Sequence, residues 1–495
     1  MNEKLSDNQV GKYKQLWLVF FTIFFINIFV FIFIALLMKP LWYDINEFLK
    51  AMIGVQTNWL AIVLTLTFLI LGYSVFLLIF YLIKRIKIGI TKPHLANRII
   101  PFPLILIWNF MLYLLISESG DEVTIVRTQL ENISPIILLI LILGLSSTLL
   151  FIIPKLGKVW SNTTRKSPKT ITLTILITIL FLTVFILPFV IVPSNIVSSV
   201  PIKPKIIAHR GASHLAPENT IAAGEQAVTW NAFGWEVDVA ISYDGILFLM
   251  HDTNLKRTTN VEEIFPERQN ELAENFSFSD LRTLDAGSWF AENDPYDTIS
   301  KGIVSESLAN SYIGEKIPSL AEVINLTRDN DLVLDIDYRR PTSSHPFYNT
   351  YFDVLLTQLN DAGLNKKIFI SSSLHLAENM THVCGADSVE VILANVCELV
   401  NTHHGLTNKE FYAYEEANIA VMVWTVDTSS RFSQLWCLGV DYIKTNSLHL
   451  FTNITEPTWT LIPRNYYIAW AIIDFSLPLS FILLYIIKSK KKIVE

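Results

Sequence analysis

Charge is scarce in this sequence. Only 17% of its 495 residues are Asp, Glu, Lys or Arg, against 51% hydrophobic, and the mean hydropathy is positive. So little charge excludes a disordered chain, and the absence of a basic excess excludes a nucleic-acid binder. Glycine is sparse as well, 18 residues in all, which excludes a collagen-like chain. Cysteine is scarcer still. Cys384, Cys397 and Cys437 are the whole complement, and no CxxC or Cys/His spacing suggests zinc. One disulfide with one free thiol, or three buried thiols, are both open. No small-residue cleavage site follows the first apolar run, so that run reads as a retained helix and not as a signal peptide.

The charge that is present is unevenly placed. Residues 205–450 carry 16 Lys and Arg against 34 Asp and Glu, net −18, whereas the remainder carries 22 against 11, net +11. An acidic block in an apolar, basic remainder predicts a water-facing domain attached to a membrane-embedded part. Six apolar runs supply that part, at 16–37, 59–83, 99–116, 135–153, 171–192 and 466–487. Each is about 18 residues or longer, enough to cross a hydrocarbon core of ~30 Å. Pro101, Pro103 and Asn109 make the third the least regular.

Lys and Arg set the orientation. Lys4, Lys12 and Lys14 precede the first run. Lys84, Arg85, Lys87, Lys92 and Arg98 follow the second, Lys155, Lys158, Arg165, Lys166 and Lys169 follow the fourth, and Lys488, Lys490, Lys491 and Lys492 follow the sixth. The other connections hold only Lys39, Lys50 and Arg127, with Glu118, Asp121, Glu122 and Glu131. The pattern alternates if both tails, 1–15 and 488–495, are cytoplasmic. The block at 205–450 is then extracellular or luminal, with the plasma membrane as the expected host. Sequons at Asn275, Asn325, Asn379 and Asn453 agree with a glycosylated outer domain, although Asn162 heads a sequon on the cytoplasmic side.

Within 205–450, short β-rich runs alternate with amphipathic stretches. The expected strands are Lys205–Ala208, Trp235–Ile241, Ile246–Met250, Leu332–Ile336, Lys366–Ser371, Val389–Ala394, Ala420–Val426 and Tyr442–Thr445. That number of strands over this length predicts a (β/α)8 TIM barrel, with doubly wound sheets sharing the signature. The second and third strands are joined through Asp244-Gly245, too tightly for a helix. The stretch 253–317 reads as an insertion capping the barrel.

Polar residues stand at the strand ends: His209-Arg210, Glu236-Val237-Asp238, His251-Asp252, and Asp335-Ile336-Asp337-Tyr338-Arg339. Alternation places Glu236 with Asp238 on one face, and Asp335 with Asp337 and Arg339 on another. In a barrel such faces meet at the mouth, where converging carboxylates need a cation, and hard oxygen ligands favour Ca2+ or Mg2+. Two histidines beside such an ion suit general acid and base work, and the arginines suit phosphate. Singly, any of these residues is more often structural; clustered in this order they point to phosphoryl transfer. His375, His382 and the pair His403-His404 lack carboxylate partners at useful spacing and read as surface or helix residues. Asp285 to Trp289 reads as a loop anchor.

The ordered set from Ile207 to Ala212, Pro217 to Thr220, Glu236 to Asp238, and His251-Asp252 with Arg257-Thr258-Thr259 resembles the glycerophosphodiester phosphodiesterases. Later segments extend the likeness over essentially all of 205–450: Asp285 to Trp289, Ile317 to Leu320, Val423 to Val426 and Gly439 to Asp441. Asp337 to Pro341 and Leu435-Trp436-Cys437 are similar to the six-span eukaryotic branch, whose catalytic domain lies between helices five and six. The resemblance implies Glu236, Asp238 and Asp337 as metal ligands, His209 and His251 as the acid/base pair, Arg210 and Arg339 at the phosphate, and Trp424 in the substrate channel. Asp337 and Arg339 stand where many soluble members have Glu and Lys. The shorter Asp leaves a water-bridged contact, or a contribution from Asp335, as alternatives.

The expected protein is thus a multi-pass helical membrane domain of six spans with an outward TIM barrel, cleaving phosphodiesters that are soluble, lysophospholipid-like or lipid-anchor-like. Which histidine is the acid is open. A competing class is an inactive receptor, transporter or scaffold that uses the barrel as a binding module. Asp474, midway along the sixth run, is its main foothold. No other charged pathway runs through the helices, which favours an anchor.

Overall fold

The computed structural model describes residues 7–38, 57–87, 93–118, 133–147, 168–371 and 379–494, with positions 42, 45, 46, 49 and 55. His375, Asn162, residues 148–153 of the fourth apolar run and most of the charged loop positions lie outside these. The chain divides into two compact units, Met1–Ile133 and Ser134–Glu495.

The first unit contains α1 (Asp7–Leu37), α2 (Trp59–Lys87) and α3 (Pro101–Glu118). Phe21, Phe24, Ile28 and Leu77 are fully buried between the first two. Trp108 on α3 donates its indole N–H to Thr67 on α2 at 2.9 Å. Large apolar side chains such as Leu69 and Phe110 are also exposed on these helices. Across the described residues, Trp59–Lys84 and Pro463–Ile487 are long and apolar enough to cross a membrane. Phe20–Leu36, Leu95–Met111, Ile133–Ser147 and Thr174–Val190 are shorter apolar helices.

The second unit begins with α4 (Ile133–Ser147) and α5 (Pro168–Val190), followed by the barrel. Its elements are β1 (Lys205–Ala208), α6 (Ile221–Thr229), β2 (Gly234–Ile241), β3 (Leu247–Leu249), α7 (Leu320–Asp329), β4 (Val333–Tyr338), α8 (Tyr351–Asn360), β5 (Ile368–Ser371), β6 (Thr381–Cys384), α9 (Val389–Ala394), β7 (Leu399–His403), α10 (Asn408–Glu416), β8 (Ala420–Trp424), α11 (Ser429–Leu438) and β9 (Tyr442–Thr445). The order β1-β9-β8-β7-β6-β5-β4-β2, with β1 pairing β2, closes a parallel barrel of eight strands. Only β3 is antiparallel; it pairs β2 from outside the ring. Alternation along the strands sends Ile207, Val333, Phe369, Val383, Leu399 and Met422 into the barrel's lower interior. The opposite faces pack on the helices around Trp235, Tyr351, Phe411 and Phe432. Capping boxes at Ser319/Glu322 and Thr407/Glu410 start α7 and α10.

Three sequence expectations are corrected. Val389–Ala394 is a helix that buries only Ile392. Its alternating apolar residues mimic a strand, but Asp387-Ser388 before it and Glu390 in its first turn favour a helix start. The barrel strands on either side, β6 and β7, escaped notice because positions such as Thr381 and Asn401 break the apolar period. His382 and His403 accordingly lie on strands, and His404 is buried. The run Ile246–Met250 yields β3, a hairpin partner and not a barrel stave. Residues 253–317 form short helices whose own core includes Leu255, Val261, Phe276 and Leu281, packed on Phe248.

The C-terminal helix α12 (Pro463–Val494) returns beside α5: Tyr466 donates to the Pro188 carbonyl at 3.0 Å, and Phe189 stacks on Tyr467. Between these helices and the barrel the two connecting segments pair at Ile196 and Leu461. Asn195 donates to the Trp459 carbonyl at 2.9 Å, and Trp436 near the end of α11 donates to the Pro201 carbonyl at 2.9 Å. This collar meets the last turns of α11, at the end of the barrel where the strands begin. One consequence of the close helix–strand packing is testable at Gly224 on α6. A methyl there would lie 2.5 Å from Leu326 and 2.8 Å from the Trp235 ring. Gly224→Ala is expected to lower stability by about 1–3 kcal/mol, read as a fall in the melting temperature of the purified chain.

Candidate active site

The ends of the strands gather the polar residues. The register of β2 on β4 sets Glu236 beside Asp335 and Asp238 beside Asp337, so two neighbouring staves put two carboxylates each into one interior. Glu236, Asp238 and Asp337 offer oxygens that all lie within 4.8 Å of one another. Asp335 is engaged elsewhere: Lys444 on β9 sets its Nζ 2.5 Å from the Asp335 carboxylate, and both are buried. That leaves Asp337, not Asp335, as the third member of the cluster.

The turn after β1 supplies the opposite charge. Arg210 takes a left-handed backbone, φ 55°, and its N–H donates to Glu236 at 2.7 Å. Gly211 follows at φ 74°, where an added Cβ would meet Ala223 at 2.6 Å, so glycine is required. The Arg210 guanidinium lies 3.2 Å from Glu218 and 3.4 Å from Asp238. Asn219 clamps Asp238 twice, donating to its carboxylate at 2.7 Å and accepting its backbone N–H at 3.0 Å.

The two histidines sit in different surroundings. His209 Nδ1 is 2.8 Å from Asn446 Oδ1, and Asn446 donates its amide to Asp427 at 2.7 Å. With the Asn446 oxygen as acceptor, the His209 Nδ1 carries the proton and Nε2 is left as a base. Burial first, then the nearby Arg210 cation, lowers the His209 pKa below the ordinary histidine value. His251 stands at the rim, its Nδ1 2.8 Å from Asp252, and that hydrogen bond raises its pKa. Asp252 in turn binds Arg257 at 2.7 Å, and Arg257 binds Glu218 at 2.7 Å.

Burial also acts on the acids: it pushes Glu236 up to about 7, and with the neighbouring Glu236 it pushes Asp238 up to about 6. Burial alone would raise Glu218 too, but its bonds to Arg257 and the Arg210 charge hold it below the carboxylate range. Trp424, at the end of β8, lines the same cavity of about 600 Å³, as do His209, Arg210, His251 and the acidic cluster. Arg339 does not line it. Its guanidinium donates to the backbone carbonyls of His251 and Asp252, which pins the histidine-bearing turn.

Lys444, Asn446 and Asn219 went unassigned in the sequence. A lysine at an inward position of a parallel strand, as at Tyr442-Ile443-Lys444, is the one signal that could have flagged the buried ion pair.

A closed (β/α)8 barrel with an acidic, imidazole-flanked mouth defines the class. Residues 209–378 match the Glycerophosphoryl diester phosphodiesterase family, and residues 420–448 match a second model of the same description. A relative in Gallus gallus, glycerophosphodiester phosphodiesterase domain-containing protein 5, is 32% identical over 57% of this chain and 48% of its own length. Glycerophosphoinositol inositolphosphodiesterase GDPD2 of Mus musculus is 27% identical over 94% of this chain and 87% of its own. This chain therefore spans about half of the first relative and most of the second. A phosphodiesterase of Oleispira antarctica, solved with the product sn-glycerol-3-phosphate, is 22% identical with a TM-score of 0.40, over 49% of this chain and 93% of its own.

The ion pair below the cluster yields a prediction. Lys444→Met strands Asp335 as a buried unpaired carboxylate and is expected to cost about 3–5 kcal/mol of stability. Lys444→Met/Asp335→Asn should recover most of that in denaturant unfolding; no recovery would show that the pair is not the cause.

Proposed function

We propose that this chain is a membrane-anchored, metal-dependent glycerophosphodiester phosphodiesterase. The observation that carries the reading is the meeting of Glu236, Asp238 and Asp337 within 4.8 Å in a cavity shared with His209 and His251. Carboxylates packed this closely, with Glu236 and Asp238 pushed towards neutrality, fit a divalent oxygen-loving ion, Ca2+ or Mg2+, as the missing countercharge. Once bound, such an ion acidifies a hydroxyl and neutralises phosphate charge.

The residues of the chain then divide the remaining work. His209 accepts a proton at Nε2, because its Nδ1 is committed to Asn446. His251, whose affinity for a proton the Asp252 hydrogen bond raises, donates to the departing alkoxide. Arg210 binds a phosphoryl oxygen, and Arg339 positions His251 through the backbone. The attacking oxygen is either a neighbouring hydroxyl of the substrate or water.

The membrane reading extends this to six spans with cytoplasmic termini and an extracellular or luminal barrel. Two long apolar helices and four shorter ones support it, as does the basic charge of alternate connections. The Cys384–Cys397 disulfide, which leaves Cys437 as a buried free thiol, suits an oxidising compartment. Asn275, Asn325, Asn379 and Asn453 are all exposed, as acceptors of glycan must be. The substrate set comprises soluble glycerophosphodiesters, lysophospholipids and lipid-anchor phosphodiesters.

His209→Ala and His251→Ala should each lower kcat by roughly 10²–10⁴, and a chelator should abolish turnover of glycerophosphodiesters by purified membranes; full activity in either variant would refute the assignment. The rate should follow a bell in pH. Its acid limb reports His209 gaining a proton, below the ordinary value of about 6.5, and its alkaline limb reports His251 losing one, above about 6.5. Asp252→Asn removes what raises His251, so it should move the alkaline limb to lower pH and leave the acid limb in place. Soluble glycerophosphodiesters, lysophospholipid and cells bearing a lipid-anchored reporter, assayed side by side, will separate the substrate classes.

A further inference from the structure

The first helical unit holds a groove of its own. Trp17, Phe20 and Ile23 line it from α1, Arg98 and Ile99 from the short helix Leu95–Ile99, and Phe102 from the start of α3, around a cavity of about 620 Å³. Ile23, Ile99 and Phe102 are each more than half exposed. Arg98 is the one charged side chain in this lining. It is partly exposed, and its guanidinium lies 5.8 Å from the Trp17 ring. Among the described residues no carboxylate or carbonyl accepts a hydrogen bond from it. The nearby sequence supplies no counter-ion either: residues 17–37, 59–87 and 95–117, the apolar lengths of α1 to α3, contain no Asp or Glu. Asn97 accounts for the aim of the arginine. Tyr73 on α2 donates to the Asn97 oxygen and the Asn97 amide donates to Tyr81, both at 3.1 Å. With Asn97 fixed on α2, the next residue, about 100° further round the helix, is turned to the groove.

We propose that this groove binds one anionic phospholipid of the membrane, its phosphate on Arg98 and the first carbons of its chains on Phe20, Ile23 and Phe102. The planar guanidinium matches phosphate oxygens as a bidentate fork, and a position beside an indole ring leaves its N–H edge free to donate. A cation in apolar surroundings without a partner is costly. Free phosphate would answer that charge and leave the apolar walls bare. Diacylglycerol would cover the walls and leave Arg98 unpaired. An amphiphile with both parts satisfies both. Lys84, Arg85, Lys87 and Lys92 share the connection that carries Arg98, and basic pockets between helices on the cytoplasmic side take anionic headgroups. The leaflet follows from the membrane reading above; the groove and its test depend neither on that leaflet nor on the catalytic assignment, so either can fail alone.

The full-length chain in non-ionic detergent is incubated with phosphatidylserine or with diacylglycerol, each carrying a photoreactive diazirine near the head of one chain. After illumination the labelled peptides are mapped by mass spectrometry. In wild type, phosphatidylserine is expected to label the peptides around Phe20 and Phe102 on the order of tenfold more than diacylglycerol does, as a charge-assisted bond to phosphate allows. Arg98→Gln should bring phosphatidylserine down to the diacylglycerol level there and leave labelling elsewhere on the chain unchanged. Arg98→Lys, which keeps the charge without the fork, should retain part of the preference and carries the comparison if the glutamine variant does not fold. The inference is overturned if wild type is labelled equally by both lipids or by neither at these peptides, or if Arg98→Gln keeps the preference. It is overturned as well if millimolar inorganic phosphate abolishes the labelling, which would mark Arg98 as a site for free anions and not for lipid.

Discussion

Mutual repulsion among four carboxylates inside one barrel is the constraint that organises this site. The β2–β4 register pairs Glu236 with Asp335 and Asp238 with Asp337, so the crowding is written into the sheet and cannot be relieved by side-chain rotation alone. Two charges ~5 Å apart repel by about 3 kcal/mol even at an effective dielectric of about 20. The surrounding features read as answers to that cost. Lys444 neutralises Asp335, and the left-handed turn at Arg210 aims a backbone N–H at Glu236. Asn219 and the Arg210 guanidinium share Asp238. Only the Glu236, Asp238 and Asp337 oxygens are left facing one another, which is where a divalent cation is most needed.

Barrel closure makes those answers possible. Lys444 and Asn446 come from the last stave, some 200 residues from Glu236, and reach the cluster because β9 pairs β1. The same closure sets His209 against Asn446. His209 is enclosed next to a cation, whereas His251 stands at the rim on a carboxylate, so the environments push the two imidazoles in opposite directions. The two imidazoles are thereby distinguished by position, with no difference in side-chain chemistry.

The sequence revealed the polar residues that line this site better than it revealed their supports. His209, Glu236, Asp238, His251 and Asp337 announce themselves because charged residues at strand ends have no packing explanation. Asn219, Asn446, Lys444 and the pinning role of Arg339 act through contacts between distant segments, which no local pattern encodes. For the fold the same distinction applies. Strands such as β1 and β5 carry apolar stretches at Ile206 to Ala208 and Ile368 to Ile370, whereas in β6 and β7 Thr381, Asn401 and His403 break the period. Hydrophobic periodicity thus misses these two staves, and Val389–Ala394, which has the period, is a helix.

That blind spot is informative in itself. A stave that lacks the apolar alternation of its neighbours has exchanged interior packing for polar contact, and a barrel tolerates this only where the interior is not filled. At the lower end Leu399 and Met422 close the core; two residues further along β7, Asn401 is among the residues lining the cavity. The collar at Ile196 and Leu461 grips the end where the strands begin, so the filled layer lies between the helices and the cavity. The opening therefore lies at the end of the barrel opposite the collar.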